Sequence, residues 1–309
     1  MATPLLRIGT RGSPLALIQA EAVRSVLAAA HPPLAESGAL EIVTIRTTGD
    51  VVRDRTLAAI GGKGLFTKEI EAALLAREID LAVHSLKDLP TALPAGLVLG
   101  AIPERHDPRE ALVNGKSLGD LATGTRVGTS SLRRVAQVRF LRPDLEVVPL
   151  RGNVPTRVRK VESHDGLDAA LLAIAGLERL GLGDKASVID PLDVMPAPGQ
   201  GALGIEIRAH DIATRKALEP LHDHETAVAV TAERALLAAL GGGCQAPVAA
   251  WVEMREAGRR MRLYGRVTEA DGAAQLTASV ELHPKEPDAA GEAVARLLEA
   301  EGAASLLAR

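Results

Sequence analysis

The sequence predicts an α/β chain with a smaller α+β region at its C-terminal end, and three observations lead there. Strand-like and helix-like segments alternate through the first half. A second such series begins after "IPERHDPRE" (102–110), whose two prolines and many charges suit a linker. Beyond about residue 222 the texture changes to a helix, three amphipathic segments and a last helix. Strands separated by helical crossovers imply mainly parallel sheets. A length of 309 residues suggests two or three domains.

The elements follow in order. "LLRIGT" (5–10) reads as a buried strand. It runs into a helix over 13–31, where Ser13 can cap and Pro14 fits the first position. "LEIVTIRT" (40–47) is the next strand, "FTKEIEAALLAREI" (66–79) has helical periodicity, and "DLAVHSL" (80–86) returns as a strand. In the second series "TRVGTS" (125–130) ends a strand and 130–141 is helical. "LEVVPL" (145–150) precedes a helix near 154–161, and "LDAALLA" (167–173) is strand-like. "PAPGQGALGIEIR" (196–208) reads as a crossing whose strand rejoins the first sheet. A helix over 225–240 leads to segments near 246–255, 260–268 and 273–282, parted by the turn signals "EAG" and "ADG". A helix near 288–308 closes the chain.

Composition narrows the function. Aromatics are 1%, namely Phe66, Phe140, Trp251 and Tyr264, so the cores rest on Ala, Leu, Val and Ile. Stacking platforms for single-stranded nucleic acid are thus scarce, and a net charge of −3 offers no field for polyanions. The start lacks a secretory pattern and no apolar run approaches membrane-spanning length. One cysteine builds neither an internal disulfide nor a Cys-rich metal site. A cytosolic protein without a metal is the expectation.

The cations stand where an α/β sheet binds ligands, at the carboxyl ends of strands. Arg11 lies in "GTRGSP", Lys87 and Asp88 in "HSLKDLP", Arg133 and Arg134 in "GTSSLRR", and Arg151 and Arg157 in "RGNVPTR". "GTSS" adds backbone N–H groups at a helix N-terminus. The planar fork of arginine suits carboxylate or phosphate, so the set predicts a ligand with several anionic groups. The bland alternative is surface arginines pairing with the 39 acidic residues. Asp88, among cations, should stay ionised and could offset a positive charge that develops during reaction; the alternative is a plain helix N-cap or turn residue before "LP". His84 reads as a packing residue. "GGKGLF" (61–66) lacks the spacing of a phosphate loop and better suits a flap over 49–64, with Lys63 supplying charge.

Cys244 sits in "LGGGCQAPVA" (240–249). It could be a nucleophile with His84 or His222 as nominal bases, a structural thiol, or an attachment point that the glycines leave uncrowded. On that stretch alone the structural reading ranks first and attachment last.

The full set of motifs reverses that ranking. "RIGTRGSPLAL", "GGKGLF", "HSLKDLP", "GTSSLRR", "RGNVPTR", "PGQGALGIE" and "GGGCQAPVA" occur in one order from about residue 5 to the final helix. Together they closely resemble the porphobilinogen deaminase (hydroxymethylbilane synthase) family. The resemblance implies a transferase of tetrapyrrole and heme biosynthesis that joins four porphobilinogen molecules head to tail and releases ammonia each time. It also implies a dipyrromethane cofactor held by a thioether to the residue matching Cys244.

By the same resemblance Asp88 is the catalytic residue, and Cys244, Lys87, Asp88, Ser131, Arg133, Arg134 and Gly152 hold the cofactor. Arg11, Ser13, Arg151, Arg157, Arg179, Lys63 and Gln200 meet substrate. The implied fold is two periplasmic-binding-protein-like lobes with mainly parallel sheets and a double crossover, plus a C-terminal α+β domain with an antiparallel three-stranded sheet. The domains would be 1–103 with 201–221, 104–200, and 222–309, in a cytoplasmic monomer with no nucleic-acid or membrane partner. Ala58 and Ala59 stand where some relatives carry a second flap lysine. The rivals are a non-catalytic two-lobed anion-binding protein, a cysteine hydrolase and a regulatory effector-binding module. The first usually carries an export signal, the second would show an alkylatable thiol, and the third needs a DNA-reading domain.

Overall fold

A computed structural model describes residues 5–51, 67–114, 117–242, 246–255 and 260–308. Lys63, most of the expected flap and Cys244 lie outside the described residues. The chain divides into two compact units, residues 1–105 with 202–227, and residues 106–201 with 228–309.

In the first unit β1 (Leu6–Arg11) leads into α1 (Pro14–Ala30), as the Ser-Pro pair predicts. Ser13 accepts a hydrogen bond from the Ala16 amide at 3.2 Å. β2 (Leu40–Ile45), α2 (Lys68–Leu75), β3 (Leu81–Ser85) and β4 (Leu97–Ala101) follow. β10 (Leu203–Arg208) joins them, and the sheet order is β2-β1-β3-β10-β4. β10 runs against β3 and β4, whereas β1 is parallel to β2 and β3. The crossing read at 196–208 is therefore real. Its strand is buried on both faces, which explains its almost unbroken apolar run. Ala20, Val23 and Leu27 of α1 pack on Ile8, Val83 and Ile205 from one side, and Ile70 and Leu74 of α2 on Ala82 and Leu97 from the other. Full burial of each such Leu or Ile contributes about 1.5–3 kcal/mol.

The second unit repeats the pattern. β5 (Glu110–Val113), β6 (Arg126–Gly128), β7 (Glu146–Val148), β8 (Ala169–Ala173) and β9 (Ala186–Val188) form a sheet in the order β7-β6-β8-β5-β9. Here β5 is the reversed strand. The fourth place in each sheet is thus filled by the strand that opposes its neighbours, and these two strands make the double crossover. α3 (Leu132–Leu141), α4 (Val154–Glu162) and α5 (Ile174–Arg179) flank this sheet. Val138 of α3 packs on one face and Val158 of α4 on the other.

The same unit contains the three-stranded antiparallel sheet β11 (Val248–Arg255), β12 (Arg260–Thr268) and β13 (Gln275–Leu282). α7 (His224–Ala239) and α8 (Pro287–Ala300) cover it through Ala232, Leu236, Val294 and Leu298; α6 (Ile212–Ala217) precedes them in the first unit. Arg266 of β12 ties this sheet to the β5–β9 layer by donating to Gln137 Oε1 (3.0 Å) and to the carbonyls of Asp193 (2.9 Å) and Leu192 (2.7 Å).

Three expectations need correction. The helix read over 66–79 spans only Lys68–Leu75, since Arg77 adopts φ 60° and turns the chain towards β3. The closing helix is broken at Gly302, φ 100°, so that α9 (Ala303–Leu307) is separate. The stretch 102–110 is not wholly a linker, because Glu110 opens β5. β4 and β9 are short strands that the sequence pattern does not announce. No helix among the described residues is long and apolar enough to cross a membrane.

Candidate active site

In the first unit the carboxyl end of β1 and the turn after β3 border a cavity of about 70 Å³. Arg11, Ser13, Gln19, Thr67, His84, Ser85 and Asp88 line it. Each side chain arrives by local rule. Arg11 is the last residue of β1 and Ser13 the cap of α1. Lys87 and Asp88 lie in a single 3-10 turn, Leu86–Asp88, whose Leu86 is fully buried and so fixes the turn. Asp88 is exposed and Lys87 half-buried. Gln19 Nε2 donates to Ser85 Oγ at 3.0 Å, which ties α1 to the end of β3.

In the second unit "GTSSLRR" forms the end of β6, a turn and the start of α3. Gly128 is glycine because a Cβ there would stand 2.9 Å from Leu150 and 3.0 Å from Leu167. Ser131 is the N-cap, and its hydroxyl makes no capping hydrogen bond. Arg133 and Arg134 do not project into solvent. They are 5% and 6% exposed and bracket the fully buried Glu110, at 2.5 Å to Oε1 and 2.8 Å to Oε2 respectively. Arg133 also donates to the Met195 carbonyl and Arg134 to that of Leu171. Burial lowers the affinity of Arg133 for its proton, Glu110 opposes this and Arg134 reinforces it. Arg134 Nε is buried without a hydrogen-bond partner among the described residues.

Gly152, φ 116°, makes the turn between Arg151 and α4, and its carbonyl accepts from Arg157 Nε at 2.7 Å. Arg151 and Arg157 are half-buried. Arg179 sits at the end of α5 rather than at a strand end. It donates to the Gly201 carbonyl at 2.9 Å, and burial pushes its guanidinium down to about 10. Gln200 is buried and donates to the Pro108 carbonyl at 2.8 Å. The cavity thus gathers Arg11, Ser13 and Asp88, and the turn before α3 gathers Ser131, Arg133 and Arg134. Arg179 and Gln200 hold the crossover segments in place.

Residues 6–216 match the family model described as porphobilinogen deaminase, dipyromethane cofactor binding domain, and residues 227–300 match that of the porphobilinogen deaminase C-terminal domain. The chain belongs to the porphobilinogen deaminase family. The protein of that name from Syntrophobacter fumaroxidans is 51% identical over 90% of this chain and 89% of its own. The one from Syntrophotalea carbinolica is 49% identical over 100% and 96%. Among solved structures the methionine binding protein MetQ aligns at 14% identity over 72% of this chain and 91% of its own, with a TM-score of 0.43.

Sequence reasoning missed three residues here. Gln19 is buried on the face of α1 that carries Ala16, Ala20, Val23 and Leu27, and a polar residue in that apolar stripe was the available signal. Glu110 opens the apolar run "EALV", and Glu206 interrupts "LGIEIR". An acid inside a buried strand needs a partner, and that need points to both.

Proposed function

We propose that this chain joins four porphobilinogen molecules head to tail into linear hydroxymethylbilane, releasing ammonia at each addition, on a dipyrromethane bound through Cys244. The family match over nearly the whole chain carries this reading. The protein would be a cytoplasmic monomer of three domains, 1–103 with 201–221, 104–200, and 222–309.

A dipyrromethane bears acetate and propionate groups, so its holder needs fixed donors in a dry setting. The residues present fit that need. Arg134 offers a buried Nε without a partner among the described residues, and Ser131 an uncommitted cap at a helix N-terminus. Lys87, Asp88, Ser131, Arg133, Arg134 and Gly152 would hold the group, with Cys244 as its covalent anchor. When bound, it supplies the pyrrole carbon from which the chain grows. Arg11, Ser13, Arg151 and Arg157 would take the carboxylates of substrate and product, with Lys63, Arg179 and Gln200 in support.

Asp88 would do the electrostatic work. Departure of ammonia from the aminomethyl group leaves a cationic, azafulvene-like carbon. An ionised carboxylate beside the pyrrole N–H stabilises that charge more than the neutral starting ring, which lowers the barrier. Asp88→Asn keeps the shape and removes the charge, so kcat should fall by 10²-fold or more, on the order of other electrostatic deletions, with KM little changed. Turnover equal to that of the unaltered enzyme would refute the assignment.

A further inference from the structure

The β3–β10 pair carries a second group of ionisable side chains that the reading above leaves unused. Gly204 of β10 lies opposite His84 of β3 and Glu206 opposite Ala82, so His84 and Glu206 share the sheet face covered by α2. His84 Nε2 stands 3.1 Å from Glu206 Oε2, and the two side chains are 4% and 0% exposed. Glu71 of α2 and Thr67 just before it are buried as well. Neither Glu206 oxygen, nor Glu71 Oε1, nor His84 Nε2 has a hydrogen-bond partner among the described residues. Buried polar atoms are normally partnered, so this group of unpartnered ionisable side chains calls for an explanation.

The group also has an outlet. His84 and Thr67 line the cavity that holds Arg11, Ser13 and Asp88. Burial pushes the Glu71 carboxyl up and Glu206 adds to this, while Thr67 and His84 oppose it. A carboxylate 3.1 Å from a buried imidazole favours the imidazolium form, so the pair is placed to accept a proton.

We propose that His84, paired with Glu206 and backed by Glu71, takes up the proton that each condensation sets free in this cavity and passes it to the departing ammonia. The inference rests on the reading of the Asp88 cavity as the place of reaction. In each addition the aminomethyl C–N bond breaks and ammonia leaves with the bonding pair. The new C–C bond uses an electron pair of the acceptor pyrrole. The C–H bond at that carbon then breaks, its pair returning to the ring and its proton going to the imidazole. Ammonia removes that proton and leaves as ammonium, so atoms and charge balance with no further reactant. His84 is the catalytic residue of this step, and Glu206 and Glu71 are positioning residues that set its basicity.

The test uses the holoenzyme and two readouts. The kcat–pH profile is measured for the unaltered enzyme, His84→Gln, Glu206→Gln and Asp88→Asn. The His84 imidazole is followed by NMR in histidine-labelled resting enzyme. His84→Gln should lower kcat by 10²-fold or more with KM within about twofold, and abolish the acid limb of the profile. Glu206→Gln removes the neighbouring charge that favours imidazolium. The acid limb and the NMR titration should therefore both move about one pH unit lower, a tenfold change in proton affinity. Should His84→Gln misfold, Glu206→Gln, which keeps the side-chain shape, decides by the same paired shift. An unaltered profile in His84→Gln, or an acid limb in Glu206→Gln that stays in place, overturns the proposal. Full turnover by Asp88→Asn would instead overturn the cavity reading itself.

Discussion

Replacing Glu110 with glutamine tests whether one buried acid holds the two arginines before α3 in place. Glu110 is fully buried, and Arg133 and Arg134 are each about nine-tenths or more buried, with N···O separations of 2.5 and 2.8 Å. Glutamine preserves the volume but removes the charge, so two guanidinium groups face each other without their carboxylate. Breaking a buried pair by removing one partner costs about 3–5 kcal/mol. For a unit of this size each kcal/mol moves the midpoint by about 2–4 °C, so Glu110→Gln should melt roughly 6–20 °C lower. Trp251 is the single tryptophan and belongs to the same unit, so its emission follows the relevant transition. A variant that melts within about 2 °C of the parent would refute the reasoning.

Two further outcomes follow from particular contacts. Gly201 has φ 88°, and a Cβ there would stand within contact distance of the His106 carbonyl oxygen, whereas Gly124, φ 80°, has open space. Gly201→Ala should therefore lose at least about 2 kcal/mol and Gly124→Ala about 1 kcal/mol, read from urea midpoints; equal losses would contradict the steric argument. Burial raises the Asp80 carboxyl, but the side-chain and backbone hydrogen bonds from Arg7 and that from Arg208 outweigh it and hold the group below its usual 3.8. That stabilisation is present above about pH 3.8 and is lost as pH falls through the lower folded value. Asp80→Asn should be less stable at neutral pH and have a flatter acid limb; a curve parallel to the parent's would count against this.

Much of the architecture was legible because period and punctuation agreed. Ser13-Pro14 announced α1, the turn signals announced the three-stranded sheet, and the apolar run at 203–208 announced the strand that returns to the first sheet. The strands β4, β5 and β9 were not legible for a physical reason. "LVLGA", "EALV" and "ASV" are too short to show a period, and β5 follows charges that read as a linker. The strand-end cations were legible because ligand sites in α/β sheets have a fixed place. What holds them was not. Glu110 and Glu206 matter through partners far away in sequence, and only the fold brings Arg133, Arg134 and His84 to them.

The central claim is that Cys244 carries a primer on which the product is built. The most direct test is the intact mass of the purified, denatured protein beside that of Cys244→Ala, each weighed before and after incubation with porphobilinogen. The account predicts a mass excess equal to two linked pyrroles on the parent chain and none on the variant. A parent chain that stays bare after incubation, or a variant that gains the same mass, would contradict it.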